Sequence, residues 1–206
     1  MISKIKRFYG ISDLSIDKIR NCKKCSICRY RKSVVIGRSN LINEKAEMSF
    51  KFDKYIEIVF IGEAPGRSED LLGYPFVGAS GKLLNLLIKR TIDKIREENP
   101  EFIEPTYFIT NTIFCRPTNE NYGDNREPTK EEILNCSANV MTVIKSLKPS
   151  QIIFIGKIAE SAYKKEFRTG KSIQHPSYIL RNGGVNSAVF FDNVMRLNDI
   201  ISTIKE

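Results

Sequence analysis

The sequence predicts an α/β fold, with a central, mostly parallel four-stranded sheet between two layers of helices in a three-layer αβα arrangement. Short apolar runs rich in β-branched and aromatic residues recur along the chain, and amphipathic helical patterns lie between them. Strands that alternate with helices favour a parallel sheet with right-handed crossovers. Because 206 residues suffice for one substantial core, we expect a single domain over residues 1–206.

Four apolar runs are expected to form the strands. They occupy residues 56–61, 107–110, 152–155 and, with a weaker pattern, 172–174. Each run is brief and is followed by a turn signal or a helical pattern, which is typical of buried parallel strands. The segment 37–54 carries no clear pattern, and we expect a disordered or hairpin insertion there.

Four helices are predicted between and after these strands. Residues 81–98 place their leucines and isoleucines on one face, and residues 130–147 follow Thr129 as N-cap with Glu132 three positions later. A third helix is expected after Gly156 and a last one over residues 189–204. Ligands of such sheets bind at the carboxyl ends of the strands, so the loops at 62–81, 111–128 and 175–184 are the candidate site.

Composition narrows the class of protein. No apolar run approaches the roughly 20 residues of a membrane span, and the polar, basic start at Met1 lacks a signal-peptide core. We therefore expect a cytoplasmic protein without membrane association. Its five cysteines then lie in a reducing compartment where structural disulfides are rare, which favours a metal site.

The net charge of +9 is typical of proteins that bind a polyanion, and nucleic acid is the commonest such partner. The alternative is that an AT-rich genome raises the lysine content and that the excess charge is only solvated surface. Charge alone does not separate these interpretations, so the motifs decide.

The most informative motif follows the first predicted strand. It reads GEAPG at residues 62–66 and PFVGASGKLL at residues 75–84, and it resembles the first active-site motif of the family 4, iron-sulfur type uracil-DNA glycosylases. Further matches follow in the family's order: ITN at 109–111, CRP at 115–117, PT at 128–129 and HPSY at 175–178. A glycine-rich turn alone is weak evidence, but this resemblance covers most of the chain.

The cysteines also match this family. The resemblance implies that Cys22, Cys25, Cys115 and Cys136 hold a [4Fe-4S] cluster with a structural role, whereas Cys28 is expected to be unligated. From spacing alone, a CxxC pair and two distant cysteines could equally hold zinc. Basic residues near these cysteines are expected to face DNA phosphates, unless they are ordinary solvated charges: Lys23, Lys24, Arg29, Arg31 and Arg116.

The resemblance implies a pocket for a uracil that has been flipped out of DNA. Phe76 would stack on the base, and Asn111 would read it because its amide can accept from N3–H and donate to O4. His175, the only histidine, would donate to O2 as charge builds on the leaving base. Without the family, Phe76 could be a core residue, Asn111 a turn residue and His175 a structural residue.

The resemblance assigns four further positions to the pocket. Gly62 and Ala64 are expected to line the pocket, and Ala64 stands where family 1 glycosylases have an aspartate, so Glu63 is expected to act through an ordered water. Glu69 matches the residue thought to exclude the thymine methyl group. Alternatively, Glu63 caps turn amides and Glu69 is a first-turn helix charge.

The expected partner is uracil-containing DNA, single- or double-stranded, bound by a monomer. Ser177, Leu180 and Arg181 would contact the backbone and fill the vacated stack, and Lys82 would meet a phosphate at a helix start, although Lys82 could be merely solvated. The loop 118–126 is longer than the family pattern. Two rivals are a catalytically idle glycosylase fold that serves as a DNA-binding or polymerase-processivity subunit, and a zinc-stapled nucleotide-binding protein.

Overall fold

The computed structural model describes residues 9–41, 51–52, 55–119 and 122–204. A mostly parallel sheet lies between two helical layers, which confirms the predicted three-layer αβα class. Every predicted strand is present within two residues of its expected bounds. The described residues contain seven strands: β1 (Tyr9–Gly10), β2 (Arg38–Ser39), β3 (Lys51–Phe52), β4 (Ile58–Gly62), β5 (Tyr107–Asn111), β6 (Gln151–Ile155) and β7 (Lys171–Ile173).

The main sheet has five strands instead of the expected four. Its order is β2-β5-β4-β6-β7, and the additional strand β2 pairs antiparallel with β5 at the edge. β2 comes from the segment 37–54 that was expected to be an insertion, and β3 of the same segment pairs with β1 in a separate two-stranded sheet. Residues 42–50 and 53–54 of that segment lie outside the described residues.

Two hydrophobic cores cover the two faces of the sheet, because successive side chains of a strand point to opposite faces. From β4, Val59 and Ile61 join the core under α1 (Asp13–Arg20), α4 (Lys130–Leu147) and α5 (Lys157–Tyr163). Ile58 and Phe60 join the core on the other face. That face is covered by α3 (Ala79–Glu98), α6 (Pro176–Arg181) and α7 (Ala188–Ile201).

The long predicted helices are confirmed, and three short ones are additional. α3 begins two residues before the expected start, and α4 has the predicted bounds, with Thr129 accepting from the Glu132 amide. The additional helices are the eight-residue α1 and two of six residues each, α2 (Arg67–Leu72) and α6, which lie within two of the loops expected to hold the site. Two 3₁₀ turns complete the fold, Ser26–Arg29 and Gly184–Asn186. Within the described residues, no helix combines the length and apolar character that crossing a membrane requires.

Candidate functional site

An open cleft of about 390 Å³ lies at the carboxyl ends of the central strands, as the sheet rule predicts. Its volume falls in the range of small-molecule and cofactor sites. Residues from all three of the expected loops line it, and they include seven of the predicted site residues: Glu63, Ala64, Glu69, Phe76, Asn111, His175 and Ser177. We call this the base cleft.

Asn111 is the last residue of β5, and its side chain lines the cleft. The residue is 1% exposed, and its Oδ1 atom has no hydrogen-bond partner in the described part of the chain. A buried carbonyl oxygen without a donor costs free energy unless a ligand supplies one. Asn111 therefore offers an acceptor to a donor group that enters the cleft.

Gly62 ends β4 directly beside Asn111 in the parallel register. A Cβ atom added at Gly62 would lie 2.5 Å from the Asn111 Oδ1 atom and 2.5 Å from the Phe76 Cζ atom. The missing side chain thus lets the amide and the aromatic ring approach the same point, although Gly62 itself does not line the cleft. This close approach is the physical reason for glycine there.

Phe76 is held in an unusual backbone conformation. Its φ angle is 55°, in the left-handed region that a bulky residue rarely adopts. The start of α3 packs so tightly on the Phe76 carbonyl that a side chain at Gly81 would overlap it. The Phe76 ring is 7% exposed and its centroid lies 6.4 Å from that of His175, so the two rings form adjacent walls of the cleft.

The tautomer of His175 follows from its hydrogen bonds. The Ser177 backbone N–H donates to Nδ1 over 3.2 Å, and the Ser177 hydroxyl lies 2.7 Å from the same atom. Because a backbone amide can only donate, Nδ1 is the acceptor and the proton resides on Nε2. Burial, and secondarily the charge of Arg181, lower the pKa of His175 below its ordinary value of 6.5. His175 is therefore a neutral side chain with one N–H free to donate.

Glu63 places a carboxylate in the lining of the cleft. Its backbone carbonyl accepts from the Thr112 amide and hydroxyl, which fixes the turn, but its carboxylate forms no hydrogen bond within the described residues. Burial, assisted by the nearby charge of Glu127, raises the pKa of Glu63 above its ordinary value of 4.5. Ala64 follows it along the cleft wall and supplies no second carboxylate.

Glu69 also lines the base cleft, but its carboxylate already has partners. It accepts from the amides of Gly66 at 3.1 Å, Val77 at 2.9 Å and Gly78 at 2.9 Å. These bonds close the loop between β4 and α3 and thereby hold Phe76 in place. A role in excluding thymine stays a prediction, since the same carboxylate is a structural centre of the loop.

The predicted DNA contacts lie around the cleft and on its rim. Ser177 lines it, whereas Leu180 and Arg181 are exposed further along α6, with Leu180 41% exposed. Lys82 is exposed in the first turn of α3, whose Ala79 and Ser80 line the cleft. A helix N-terminus carries positive dipole charge, so this rim suits a phosphate group.

The loop 118–126 contributes two cleft residues that the sequence analysis missed, Asn125 and Arg126. Arg116, expected to face DNA, is instead 5% exposed and donates to the Asn125 side chain at 2.6 Å and to the Gly123 carbonyl at 2.7 Å. Arg126 pairs with Glu132 through two bonds of 2.8 and 2.6 Å. Sequence spacing gave no signal for either arginine, because their partners are set by tertiary contacts of a long loop and of the start of α4.

A second, small cavity gathers the four cysteines predicted as ligands. Cys22, Cys25, Cys115 and Cys136 line it, and Cys28 does not. It joins the N-terminal segment to the loop after β5 and to the start of α4. We call it the cysteine cavity.

The donor set of the cysteine cavity is four thiols, which suits a structural zinc ion or an iron-sulfur cluster. Among the described residues, no group of three or more His, Cys, Asp or Glu side chains is gathered so as to hold one metal ion, although four thiols share this cavity. Burial raises the pKa of Cys115 to about 11 and that of Cys136 to about 12. Arg31, another of the residues expected to face DNA, instead donates to the Cys115 sulfur at 3.4 Å and to the Arg20 carbonyl.

Comparison with known proteins agrees with this geometry. The family model described as the uracil DNA glycosylase superfamily matches residues 51–197. Proteins named type-4 uracil-DNA glycosylase are similar to the chain: 41% identity in Saccharolobus solfataricus (72% of this chain, 57% of that protein), 34% in Archaeoglobus fulgidus (82% and 73%) and 31% in Thermotoga maritima (84% and 84%). The match thus spans less than two thirds of the Saccharolobus relative.

Proposed function

The chain belongs to the uracil DNA glycosylase superfamily, and from this membership we propose that it hydrolyses the N-glycosidic bond of uracil in DNA and leaves an abasic site for base excision repair. The observation that carries the proposal is the buried Oδ1 atom of Asn111, which has no hydrogen-bond partner among the described residues and lies in the cleft that Phe76 and His175 also line. This acceptor has no donor in the described part of the pocket, and uracil supplies one at N3–H. The His175 Nε2–H is a donor for O2, one of the two carbonyl oxygens of uracil.

Recognition in this proposal begins with a uracil flipped out of the DNA stack, because a base within a duplex cannot be reached. The Phe76 ring stacks on the base, and Asn111 accepts from N3–H through Oδ1 and donates to O4 through its amide. Cytosine presents an acceptor at N3 and a donor at N4, so it would leave both groups of Asn111 facing like groups. The glycosylase thereby discriminates between the two pyrimidines.

Bond cleavage then depends on the two titratable groups of the cleft. As the C1′–N1 bond breaks, its electron pair leaves with uracil, and the charge that develops on O2 is met by the His175 Nε2–H. Water adds to the oxocarbenium-like C1′ and gives a proton to Glu63, whose pKa is raised by burial, which makes its carboxylate a stronger base than an exposed one. The released uracil anion takes a proton from solvent.

DNA is held, in this proposal, by the cleft rim. Lys82 and the first turn of α3 meet one phosphate, Ser177 and Arg181 meet another, and Leu180 fills the space that uracil vacates. Leu180 is suited to that role because it is an exposed apolar side chain on α6. We further propose that one domain over the whole chain does this as a cytoplasmic monomer, in a reducing compartment consistent with its free thiols.

We propose that Cys22, Cys25, Cys115 and Cys136 hold a [4Fe-4S] cluster. Their shared cavity and all-thiolate donor set support this. When bound, the cluster ties three chain segments together and takes no part in the hydrolysis, which moves no electrons. Quantifying iron, acid-labile sulfide and zinc in purified protein tests the assignment, because stoichiometric zinc without iron would refute it.

The function is tested by incubating the purified protein with an oligonucleotide that contains one uracil, followed by alkali to cleave abasic sites. Strand cleavage at uracil, and none in a matched oligonucleotide with thymine, supports the glycosylase. Tight DNA binding without base release would instead support a catalytically idle DNA-binding or processivity subunit.

A further inference from the structure

A second groove, of about 460 Å³, lies beside the base cleft. One wall is the 3₁₀ turn that follows the CxxC pair, and the other is formed by Thr118, Asn119 and Arg126. Arg126 lines both the groove and the base cleft, so the two depressions share a wall. A strand that leaves the base cleft on this side would enter the groove next.

The groove carries the groups that bind a nucleotide. Arg29 is exposed and forms no ion pair or hydrogen bond in the described part of the chain, whereas the charge of Arg126 is already paired with Glu132. Tyr30 lines the groove half-buried and makes no ring-to-ring contact with a described residue. Ser26 and Asn119 add neutral donors, and no described Asp or Glu lines the groove.

We propose that this flanking-strand groove binds the nucleotide next to the flipped uracil. Arg29 pairs with its phosphate, and Tyr30 stacks on its base. A free guanidinium beside an aromatic ring is the combination by which proteins hold single-stranded nucleic acid without reading sequence. The inference rests on the proposed function, since that function places DNA in the neighbouring cleft.

Other basic residues near the cysteines do not offer this combination. Arg31 donates to a cysteine sulfur and a backbone carbonyl, and Arg116 is buried and donates to Asn125 and Gly123. Of the three arginines near the cysteines that were expected to face DNA, Arg29 alone has an exposed side chain without a hydrogen bond or ion pair in the described part of the chain.

The test measures uracil release from single-stranded oligonucleotides by the full-length protein at several salt concentrations. One substrate is long, and two are truncated close to the uracil on its 5′ or its 3′ side. For the long substrate, Arg29→Ala should raise KM several-fold without lowering kcat and should reduce the log–log salt slope of binding by about 0.7, the value for one phosphate contact on a single strand. On the substrate truncated on the groove side, the variant and the wild type should have equal KM.

Matched variants separate the groove from general effects. Arg168→Ala removes the same charge from an exposed residue that precedes the edge strand β7 and does not line the groove, and should leave KM unchanged. Tyr30→Leu should raise KM roughly tenfold, in the range of one base–aromatic stack, and Tyr30→Phe should restore it. Equal effects of Arg29→Ala and Arg168→Ala, or a KM defect that persists on both truncated substrates, would overturn the proposal.

Binding separates this proposal from the glycosylase assignment. If the wild type releases no uracil, the same variants are compared by fluorescence anisotropy on the labelled long oligonucleotide. Weaker binding confined to Arg29→Ala and Tyr30→Leu would support the groove while the catalytic function fails. Unchanged binding by both variants would overturn the groove.

Discussion

The base cleft and the cysteine cavity lie a few residues apart along the chain but have opposite character. Asn111 faces the open cleft with an unmet acceptor, whereas Cys115, four residues later, lines a small cavity among three other thiols. In the cleft, the surrounding structure holds the Asn111 Oδ1 atom without a hydrogen-bond partner among the described residues. In the cysteine cavity, four thiol side chains line one small space.

This difference separates two tasks: the base cleft is suited to binding a ligand, and the cysteine cavity is suited to holding chain segments together. A substrate site has to keep its hydrogen bonds unmade until the ligand arrives, so neighbouring structure must hold it in shape. The link here is Asp70 of α2, which is 2% exposed and accepts from the Lys32 amide at 2.9 Å and from the Ser33 amide at 3.0 Å. Asp70 connects the segment that follows the CxxC pair to the loop that holds Phe76.

The largest expected effect comes from breaking the cysteine cavity. Cys136→Ala should abolish most of the soluble, folded protein, because structural metal sites contribute folding free energy directly. Cys28→Ala is the matched control, since Cys28 does not line the cavity, and it should keep the yield and iron content of the wild type. The measurement is soluble yield with iron content. A Cys136→Ala protein that folds with full iron content would contradict the proposed stabilising role of the cysteine cavity.

Within the base cleft, His175→Ala should slow the chemical step by roughly 10²- to 10³-fold, the cost of removing one preorganised donor to a developing anion. Affinity for uracil-free DNA should hardly change, and the protein should stay folded. Single-turnover cleavage separates this step from product release. A wild-type single-turnover rate would show that the histidine is structural.

Much of this architecture was predictable from the sequence, because long apolar patterns report burial directly. β4, β5 and β6 were predicted because each is a continuous apolar run, and α3 and α4 were predicted because each carries a long helical pattern. β2 was missed because two residues carry no periodicity. The short helices α2 and α6 were missed because six residues make fewer than two turns.

The site was predictable to the extent that it follows from strand ends. Asn111 and His175 were expected in the same place because both follow strands of one parallel sheet. The positive φ of Phe76 and the buried position of Arg116 were not predictable, because they arise from tertiary contacts. The structural use of Glu69 was missed for the same reason, since two of its three partners lie eight and nine residues away.

The pH dependence of uracil release tests the role of the Glu63 carboxylate. Its raised pKa means that it takes a proton as the pH falls towards values still above 4.5, so uracil release should decline on that acid side. Glu63→Gln should lower the rate by roughly 10²-fold, the low end for acid–base catalysis, and should remove this acid limb. Glu127→Gln should shift the limb to lower pH, because the Glu127 charge raises the pKa of Glu63. A Glu63→Gln profile that keeps the wild-type limb would assign it to another group.

Asn111→Asp tests whether the unmet amide reads the base. The variant should release uracil more slowly and gain slow release of cytosine, because a carboxylate can accept from N4 and, when protonated, donate to N3. Each unmet group costs about 1–3 kcal/mol, which bounds the change in the uracil-to-cytosine ratio. The measurement is alkali-sensitive cleavage of matched oligonucleotides with one uracil or one mismatched cytosine. Unchanged uracil release with an unchanged ratio would move base reading to another residue.

The smallest expected effect concerns the link between the two regions. Asp70→Asn keeps one carbonyl oxygen but loses the charge that strengthens the bonds to the amides of Lys32 and Ser33. Hydrogen bonds to charged groups contribute about 1.5–3 kcal/mol, so the apparent Tm should fall by several degrees at about 2–4 °C per kcal/mol. Because Asp70 lies outside the cleft lining, uracil release should change only modestly, mainly at temperatures near the lowered Tm. Asp93→Asn on the exposed face of α3 removes a charge from a surface pair with Lys89 and should leave Tm nearly unchanged. If Asp70→Asn behaves like Asp93→Asn, the cleft does not depend on the cysteine segment for its shape, and the bonds of Glu69 alone hold Phe76.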